Sequence, residues 1–389
     1  MAELLIAGGG IAGLAAAIGA ARAGHQVCVL ERQAVFSELG AGIQIGPNGR
    51  RALEELGAWQ WLQHHVVHPR AIRIRRAASG TVLSELPLDE PFRRRFRTTY
   101  QVVHRADLLA ALLAAAEQES AITLHTDRMV MDWHQQQGRV VVSLQDGEER
   151  GADALIGADG IFSRVRARLL GEQPPRPNGH VLYRALVPRD EVPSTVDMQT
   201  VQLWLHPGGH VVHYPVKGGQ AFNIIAAINQ KMPSIDEAWG RKTDASALHR
   251  VFSNVCDELH TVLEVPRQWM CWAGVDRPPA PRWSRGNVTL IGDAAHPMLP
   301  YLASGAVMAL EDAVVLMRHL AMHAEPAQAF AAYERERRPR TTRVVRAARR
   351  MGHIYHAPAP LALARDAVLR ASTPARDLQR MAWLYDWRP

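Results

Sequence analysis

Three groups of residues have types and spacings that could do chemistry. Gly8, Gly10 and Gly13 stand in Gly-x-Gly-x-x-Gly spacing, with Glu31 at the end of the next apolar run. Asp159-Gly160 and Gly292-Asp293 each follow an apolar run, at residues 154–158 and 288–291. His210 and Tyr214 lie four apart in a strand-like stretch. Even spacing puts both on one face, while His213 faces the other way. Glycines in the first spacing let a backbone turn tightly and approach a pyrophosphate at the positive end of a helix. A carboxylate at a strand's end can accept hydrogen bonds from a ribose hydroxyl. Histidine is the commonest side chain for moving a proton near neutral pH. Each group also has a plainer reading: Asp159 and Asp293 as turn caps, His210 as an ordinary strand histidine.

The flanking pattern supplies the elements that must position these groups. Residues 4–7 are wholly apolar, residues up to 23 are alanine-rich, and residues 27–30 are apolar again. That order predicts strand, glycine turn, helix and strand, the first unit of a dinucleotide fold. A glycine-rich loop with a short strand follows at 37–47, and Asn48 is placed to cap the next helix. Ile72 and Ile74 alternate with arginines, and 81–86 reads as the partner strand across Ala78-Ser79-Gly80. Residues 100–103 read as a strand and 107–117 as a helix. Residues 122–126, 129–133 and 139–144 read as a small sheet. Four runs, 181–187, 201–206, 210–214 and 221–229, predict an antiparallel sheet. Residues 236–263 read as helical, and 305–320 as a long helix before a helical, arginine-rich end. The expected fold class is α/β, with a Rossmann-type domain carrying an inserted antiparallel-sheet substrate domain and a helical C-terminus. The expected boundaries are 1–175, 176–275 and 276–389.

Composition narrows the function classes. The 389 residues are 47% hydrophobic and 21% charged, as in ordinary globular proteins. Residues 4–21 carry no charge, but Glu3 precedes them, no basic segment leads in, and glycines interrupt them. A membrane span or signal segment is therefore not expected. The three cysteines, Cys28, Cys256 and Cys271, have no metal-ligand spacing, and a reducing cytoplasm suits them. The net charge of +7 comes with arginine clusters at 73–76, 93–97 and 335–350. No nucleic-acid motif accompanies them, so solvated surfaces attracting small anions are expected, and neither nucleic acid nor membrane is an expected partner.

The glycine fingerprint, Gly157-Ala158-Asp159-Gly160-Ile161-Phe162-Ser163-Arg164-Val165-Arg166 and Gly292-Asp293-Ala294-Ala295-His296-Pro297 stand in this order, with the antiparallel insert between the last two. So arranged, the chain resembles the single-component FAD-dependent aromatic hydroxylases, the para-hydroxybenzoate hydroxylase fold, over essentially its whole length. The stretches at 40–48 and 301–313 look most like 3-hydroxybenzoate 6-hydroxylases, with salicylate and 6-hydroxynicotinate hydroxylases as near relatives. The resemblance implies FAD bound by Gly8, Gly10, Ala12, Gly13, Glu31, Arg32, Gln44, Arg105, Met129, Asp159, Asp293, Gly305 and Ala306. It implies NADH or NADPH as a transient co-substrate, since no second Gly-x-Gly-x-x-Gly exists. The segment after Glu31 offers Arg32 but also Glu38 and no basic cluster, which favours NADH.

In such enzymes the reduced flavin activates O2 for attack on an electron-rich ring, which loss of a phenol proton activates further. The resemblance places His210 and Tyr214 on the phenol side of the pocket. It matches Pro300 to a proline whose carbonyl lies near the substrate hydroxyl, where some 3-hydroxybenzoate 6-hydroxylases carry glutamine. Tyr100 is a candidate pocket wall or a core aromatic. Arg105 is a flavin contact or an ion-pair partner of Asp107. The leading expectation is hydroxylation of a small phenolic acid, 3-hydroxybenzoate to gentisate (2,5-dihydroxybenzoate). The rivals are decarboxylative hydroxylation of the salicylate or 6-hydroxynicotinate type, a flavin dehydrogenase or oxidase, and a non-catalytic flavin-binding regulator. A homodimer is compatible with all of them.

Overall fold

The computed structural model describes residues 1–37, 41–171, 174–230, 235 and 239–389. Glu38 and Gly40 of the sequence reading, and residues 236–238, lie outside them. The founding layer is a five-stranded parallel sheet in the order Val288–Leu290, Ala154–Gly157, Glu3–Ala7, Gln26–Leu30, Ile122–His125. Its central strands are covered on both faces, so Leu4 to Ala7 and Ala154 to Gly157 are buried without alternation. The alanine-rich helix Ile11–Arg22 packs between this sheet and the helices Arg105–Glu117 and Gly305–Met322. It shows no amphipathic stripe because nearly every face is buried.

The second layer is an eight-stranded sheet. Its order is Arg241–Thr243, Trp269–Asp276, Arg176–Pro188, Ala221–Asn229, Gly209–Val216, Val201–His206, Ala71–Arg76, Val82–Pro87. The expected α/β class with an antiparallel insert and a helical end is the observed one. Three local readings change. The hairpin at 71–87 extends this second sheet, because Val201–His206 pairs with it in parallel. Ile122–His125 joins the parallel sheet beside Gln26–Leu30 rather than the small sheet, which consists of Val130–Gln136, Arg139–Leu144 and Glu149–Ala152. Among the described residues of 236–263, Arg241–Thr243 is an edge strand paired to Trp269–Asp276, and the helices are Ser246–Val251 and Asp257–Glu264.

The helical end ties the layers together. Pro326–Tyr355 runs for 30 residues along Gly305–Met322, and Leu361–Arg370 and Pro374–Tyr385 fold over the edge strand Val82–Pro87. Covering that edge removes an open template for strand pairing. Among the described residues no helix is long and apolar enough to cross a membrane.

Candidate functional site

The glycine turn is built for a close backbone approach. Gly8 has φ +104°, and a Cβ on Gly13 would lie 1.9 Å from the Gly8 carbonyl oxygen. Only glycine fits there, so the amides at the start of Ile11–Arg22 face outward with no side-chain cap. Ala12 packs against Gly292, which joins this turn to the Gly292-Asp293 loop. Glu31 is fixed at the end of its strand: its Oε2 accepts from Gly9 N–H at 2.7 Å and its Oε1 from Gln33 N–H at 2.9 Å. Each oxygen keeps a lone pair for a ribose hydroxyl. Arg32 beside it is exposed. The Arg128 amide donates to the Glu31 carbonyl at 2.8 Å, which brings half-buried Met129 to the same rim. Asp293 is exposed at the start of its turn. The helix Gly305–Met322 opens without a side-chain cap, and a Cβ on Gly305 would meet nothing closer than 3.7 Å. Gly305 and Ala306 thus leave backbone donors at a positive helix end. FAD would fit this cradle, where the glycine amides could take the pyrophosphate, Glu31 the ribose, Asp293 the ribityl chain, and Gly305 and Ala306 the flavin ring.

Two expected positions have other work. Asp159 Oδ2 accepts from the amides of Arg164 and Val165, at 2.8 and 3.1 Å, and so caps the helix Arg164–Leu170. Its backbone, not its carboxylate, lies against Gly8. Burial raises its pKa, against the pull of those hydrogen bonds. Asn48 does not cap its helix, which begins at Pro47. Instead it donates Nδ2 to Glu311 Oε1 at 2.7 Å. Arg105 opens the helix Arg105–Glu117, and its amide donates to the Ala41 carbonyl at 2.9 Å.

A cavity of about 1230 Å³ lies between the eight-stranded sheet, the turn Pro300–Leu302 and the long helix Pro326–Tyr355. Gln44, Tyr100, His210 and Pro300 all line it, from four separated parts of the chain. Tyr100 donates to Gln44 Oε1 at 2.6 Å, fixing the amide at the cavity edge. The Pro300 carbonyl accepts from Ala303 N–H at 2.9 Å, so one of its lone pairs is already engaged. Tyr214 is the correction. It shares the His210 face of the strand but does not line the cavity. Gly42 lacks a side chain, and the Tyr214 ring fills that place: a Cβ there would lie 2.4 Å from Cε2. The Tyr214 hydroxyl lies near Gln44, behind the wall. His213 points into the opposite core, where Trp204 donates to its Nε2 at 2.9 Å.

His210 is buried at 4% exposure, between Tyr301, Tyr355 and His356. Burial lowers its pKa well below the ordinary value, with His356 and His180 adding to the effect, so it is neutral at physiological pH. Tyr301, Tyr355 and Tyr385 complete the aromatic lining. Tyr301 opens the stretch at 301–313 that carries part of the resemblance, while Tyr355 and Tyr385 give only a hydrophobic signal in the sequence. Arginines of the long helix, including Arg346 and Arg350, reach the outer wall.

Against known proteins, the FAD binding domain family profile matches residues 1–348. The chain is 38% identical to the 3-hydroxybenzoate 6-hydroxylase of Polaromonas naphthalenivorans strain CJ2 over 386 residues, covering 99% of this chain and 96% of that protein. It is 37% identical to the enzyme of the same name from Klebsiella oxytoca, covering 99% and 96%. Among solved structures, a salicylate hydroxylase substrate complex superimposes with a TM-score of 0.84 at 26% identity, covering 99% of this chain and 95% of that one.

Proposed function

The chain belongs to the FAD binding domain family and is an FAD-dependent aromatic monooxygenase, and from that premise we propose that it converts 3-hydroxybenzoate to 2,5-dihydroxybenzoate with NADH and O2. The observation that carries this reading is the cavity, where a neutral buried histidine stands beside Gln44, Tyr100 and Pro300. Bound FAD supplies hydride acceptance and oxygen activation. The chain's own residues do the rest. Arginines on the outer wall attract an aromatic carboxylate. Gln44, held by Tyr100, orients the ring. His210 takes the phenol proton on the ring nitrogen that faces the cavity, raising the ring's electron density. The surrounding tyrosines exclude water from the pair. Asp293, Glu31 and the glycine turn are proposed as the FAD contacts, with Arg32, Arg105 and Met129 at the rim. We place the protein in the cytoplasm as a homodimer.

The test is turnover of a panel of hydroxylated and aminated benzoates under labelled O2. The expected result is 2,5-dihydroxybenzoate carrying one labelled oxygen, with NADH consumed one for one. A catechol with CO2 release would instead support the decarboxylative reading, which the likeness to the salicylate hydroxylase complex favours. Comparing kcat/KM for NADH and NADPH tests the reductant, and a clear NADPH preference would refute NADH. Light scattering tests the dimer.

A further inference from the structure

His210 is one end of a hydrogen-bonded chain that leads out of the active-site cavity. Its Nδ1 lies 2.8 Å from Nε2 of His356, and Nδ1 of His356 lies 2.7 Å from Oδ1 of Asn229. His356 follows the last residue of the helix Pro326–Tyr355 and is 7% exposed. Asn229 ends the strand Ala221–Asn229, beside the strand that carries His210. Asn229 and His356 also line a second, smaller cavity of about 330 Å³, with His180 and His353.

The atoms fix a direction. An amide oxygen can only accept, so Nδ1 of His356 carries the hydrogen. A neutral His356 then has a lone pair on Nε2, and His210 must donate to it from Nδ1. That leaves the lone pair of His210 on Nε2, the nitrogen not used in the chain, on a ring that lines the substrate cavity. We propose that His356 and Asn229 are positioning residues that hold His210 in the Nδ1–H tautomer, so that its Nε2 is the proton acceptor. This rests on the reading of His210 as the base. The reverse polarity would present an N–H to the cavity, a donor that cannot take a phenol proton.

The groups around the pair support a neutral chain. His180 on the strand Arg176–Pro188, His206 on Val201–His206, His353 and Tyr355 on the long helix and Tyr301 from the turn before it all face it. His180 is held by the Tyr301 hydroxyl, and Arg365 donates to the Tyr355 carbonyl at 3.0 Å. Among the described residues, no carboxylate is a hydrogen-bond partner of the chain or of the rings in contact with it. Burial, reinforced by the neighbouring histidines, brings His356 down to about 3, so it is neutral across the working range. When His210 gains the phenol proton, the charge-assisted Nδ1–H bond to His356 strengthens.

The experiment uses the full-length holoenzyme labelled with 15N-histidine, with His210→Ala providing the assignment. Nitrogen shifts are expected to show His210 as the Nδ1–H tautomer; an Nε2–H tautomer in the wild type would overturn the proposal. Asn229→Leu and His356→Leu should each lower hydroxylation of 3-hydroxybenzoate about tenfold, the loss expected when one orienting hydrogen bond goes. Flavin reduction by NADH should stay within twofold of the wild type. His356→Gln, whose Oε1 can still accept from His210, should recover most of the activity. Asn229→Asp should move the acidic limb of the hydroxylation pH profile upward, because a carboxylate can only accept and favours the protonated chain. Asn229→Leu should move it downward. A purely structural role would give no opposed shifts and no rescue by glutamine. If His210→Ala is impaired while the Asn229 and His356 variants match the wild type in tautomer and pH profile, the positioning role fails and the base reading stands. If His210→Ala hydroxylates normally, the base reading itself fails.

Discussion

The long helix Pro326–Tyr355 meets two polar networks, one buried midway along it and one at its end that runs from buried His210 out to exposed Asn229, and they are built on opposite principles. Midway, Arg337 donates to Asp312 Oδ1 and Glu311 Oε2, both at 2.7 Å, and Arg340 holds Glu311 as well. His296 lies 2.5 Å from Asp312 Oδ2, which also accepts from Gly292 N–H at 3.3 Å. Burial alone would raise Asp312, yet His296 and Arg337 hold it below the usual carboxylate range. At the end, the His210–His356–Asn229 chain is neutral throughout. The ionic network fixes the loop that carries Asp293, so it serves cofactor geometry. The neutral one has a direction but no resident charge, so it can respond to a proton. A site that must hold a shape is built from fixed charges, and a site that must move a proton avoids them.

The sharpest way to break this contrast is Arg337→Leu. Asp312 would keep only His296 and the Gly292 amide, and Glu311 only Arg340 and the Asn48 amide, inside the core. Breaking a buried pair by removing one partner typically costs about 3–5 kcal/mol. The melting temperature should therefore fall by roughly five degrees, with loss of bound flavin. A thermal melt followed by flavin fluorescence measures both, and a shift of only a degree or two would show that the cluster is not a structural anchor. Next in size is His210→Ala. Hydroxylation should fall roughly a hundredfold, the usual effect of a positioned base. FAD content and reduction by NADH should hold, with NADH oxidation uncoupled and peroxide released. The ratio of product to NADH consumed, with catalase to quantify peroxide, decides it; unchanged coupling would remove His210 from the chemistry.

The two regions also differ in how far the sequence shows them. The glycine turn, its strands and the Gly292-Asp293 loop are contiguous words, because a dinucleotide cradle is made from backbone at strand ends. The overall class and the FAD cofactor were legible for that reason. The substrate side is assembled from distant pieces. His210 and His356 are 146 residues apart, and nothing local to His356 marks it except its place two residues before Pro358. The pairing of Val201–His206 with Ala71–Arg76 is equally non-local, so the hairpin at 71–87 reads as part of the first segment. Period-two spacing correctly puts Tyr214 on the His210 face, but it cannot say that Gly42 leaves room for the ring to turn toward Gln44. Asp159 fits a cofactor motif and a helix cap equally well, and only its contacts assign the carboxylate to the cap.

That placement of Tyr214 predicts a smaller effect than a pocket hydroxyl would give. Tyr214→Phe keeps the ring against Gly42 and removes a hydroxyl near Gln44, an effect of about 1 kcal/mol at most. Hydroxylation should drop a few-fold, chiefly through KM for the aromatic acid, because Tyr100 still holds Gln44. A loss in kcat as large as that of His210→Ala would put the hydroxyl back in the proton path.

The last prediction separates the two networks by pH. His356 and His213 are each pushed down to about 3 by burial, and His210 moves the same way. An unfolded histidine titrates near 6.5, so the unfolded chain binds protons at these positions before the folded one does. Stability from keeping them neutral is fully present above about pH 6.5 and is lost progressively as pH falls toward the folded values. Asp312 is held below its ordinary value, so its contribution is present above about pH 4 and is lost only below that. Between about pH 6.5 and 4 the acid loss therefore comes from the neutral histidines and not from the ionic cluster. His356→Gln removes one titrating member. The gap in melting temperature between wild type and variant should shift by about 2–4 °C in favour of the variant as pH falls from 7 to 4.5, the change expected in a chain of this size for the ~2–3 kcal/mol lost over that range by a histidine held at about 3. A gap that stays constant across that range would mean that His356 is already protonated or solvated in the native state, and the contrast between a charged and a neutral network would collapse.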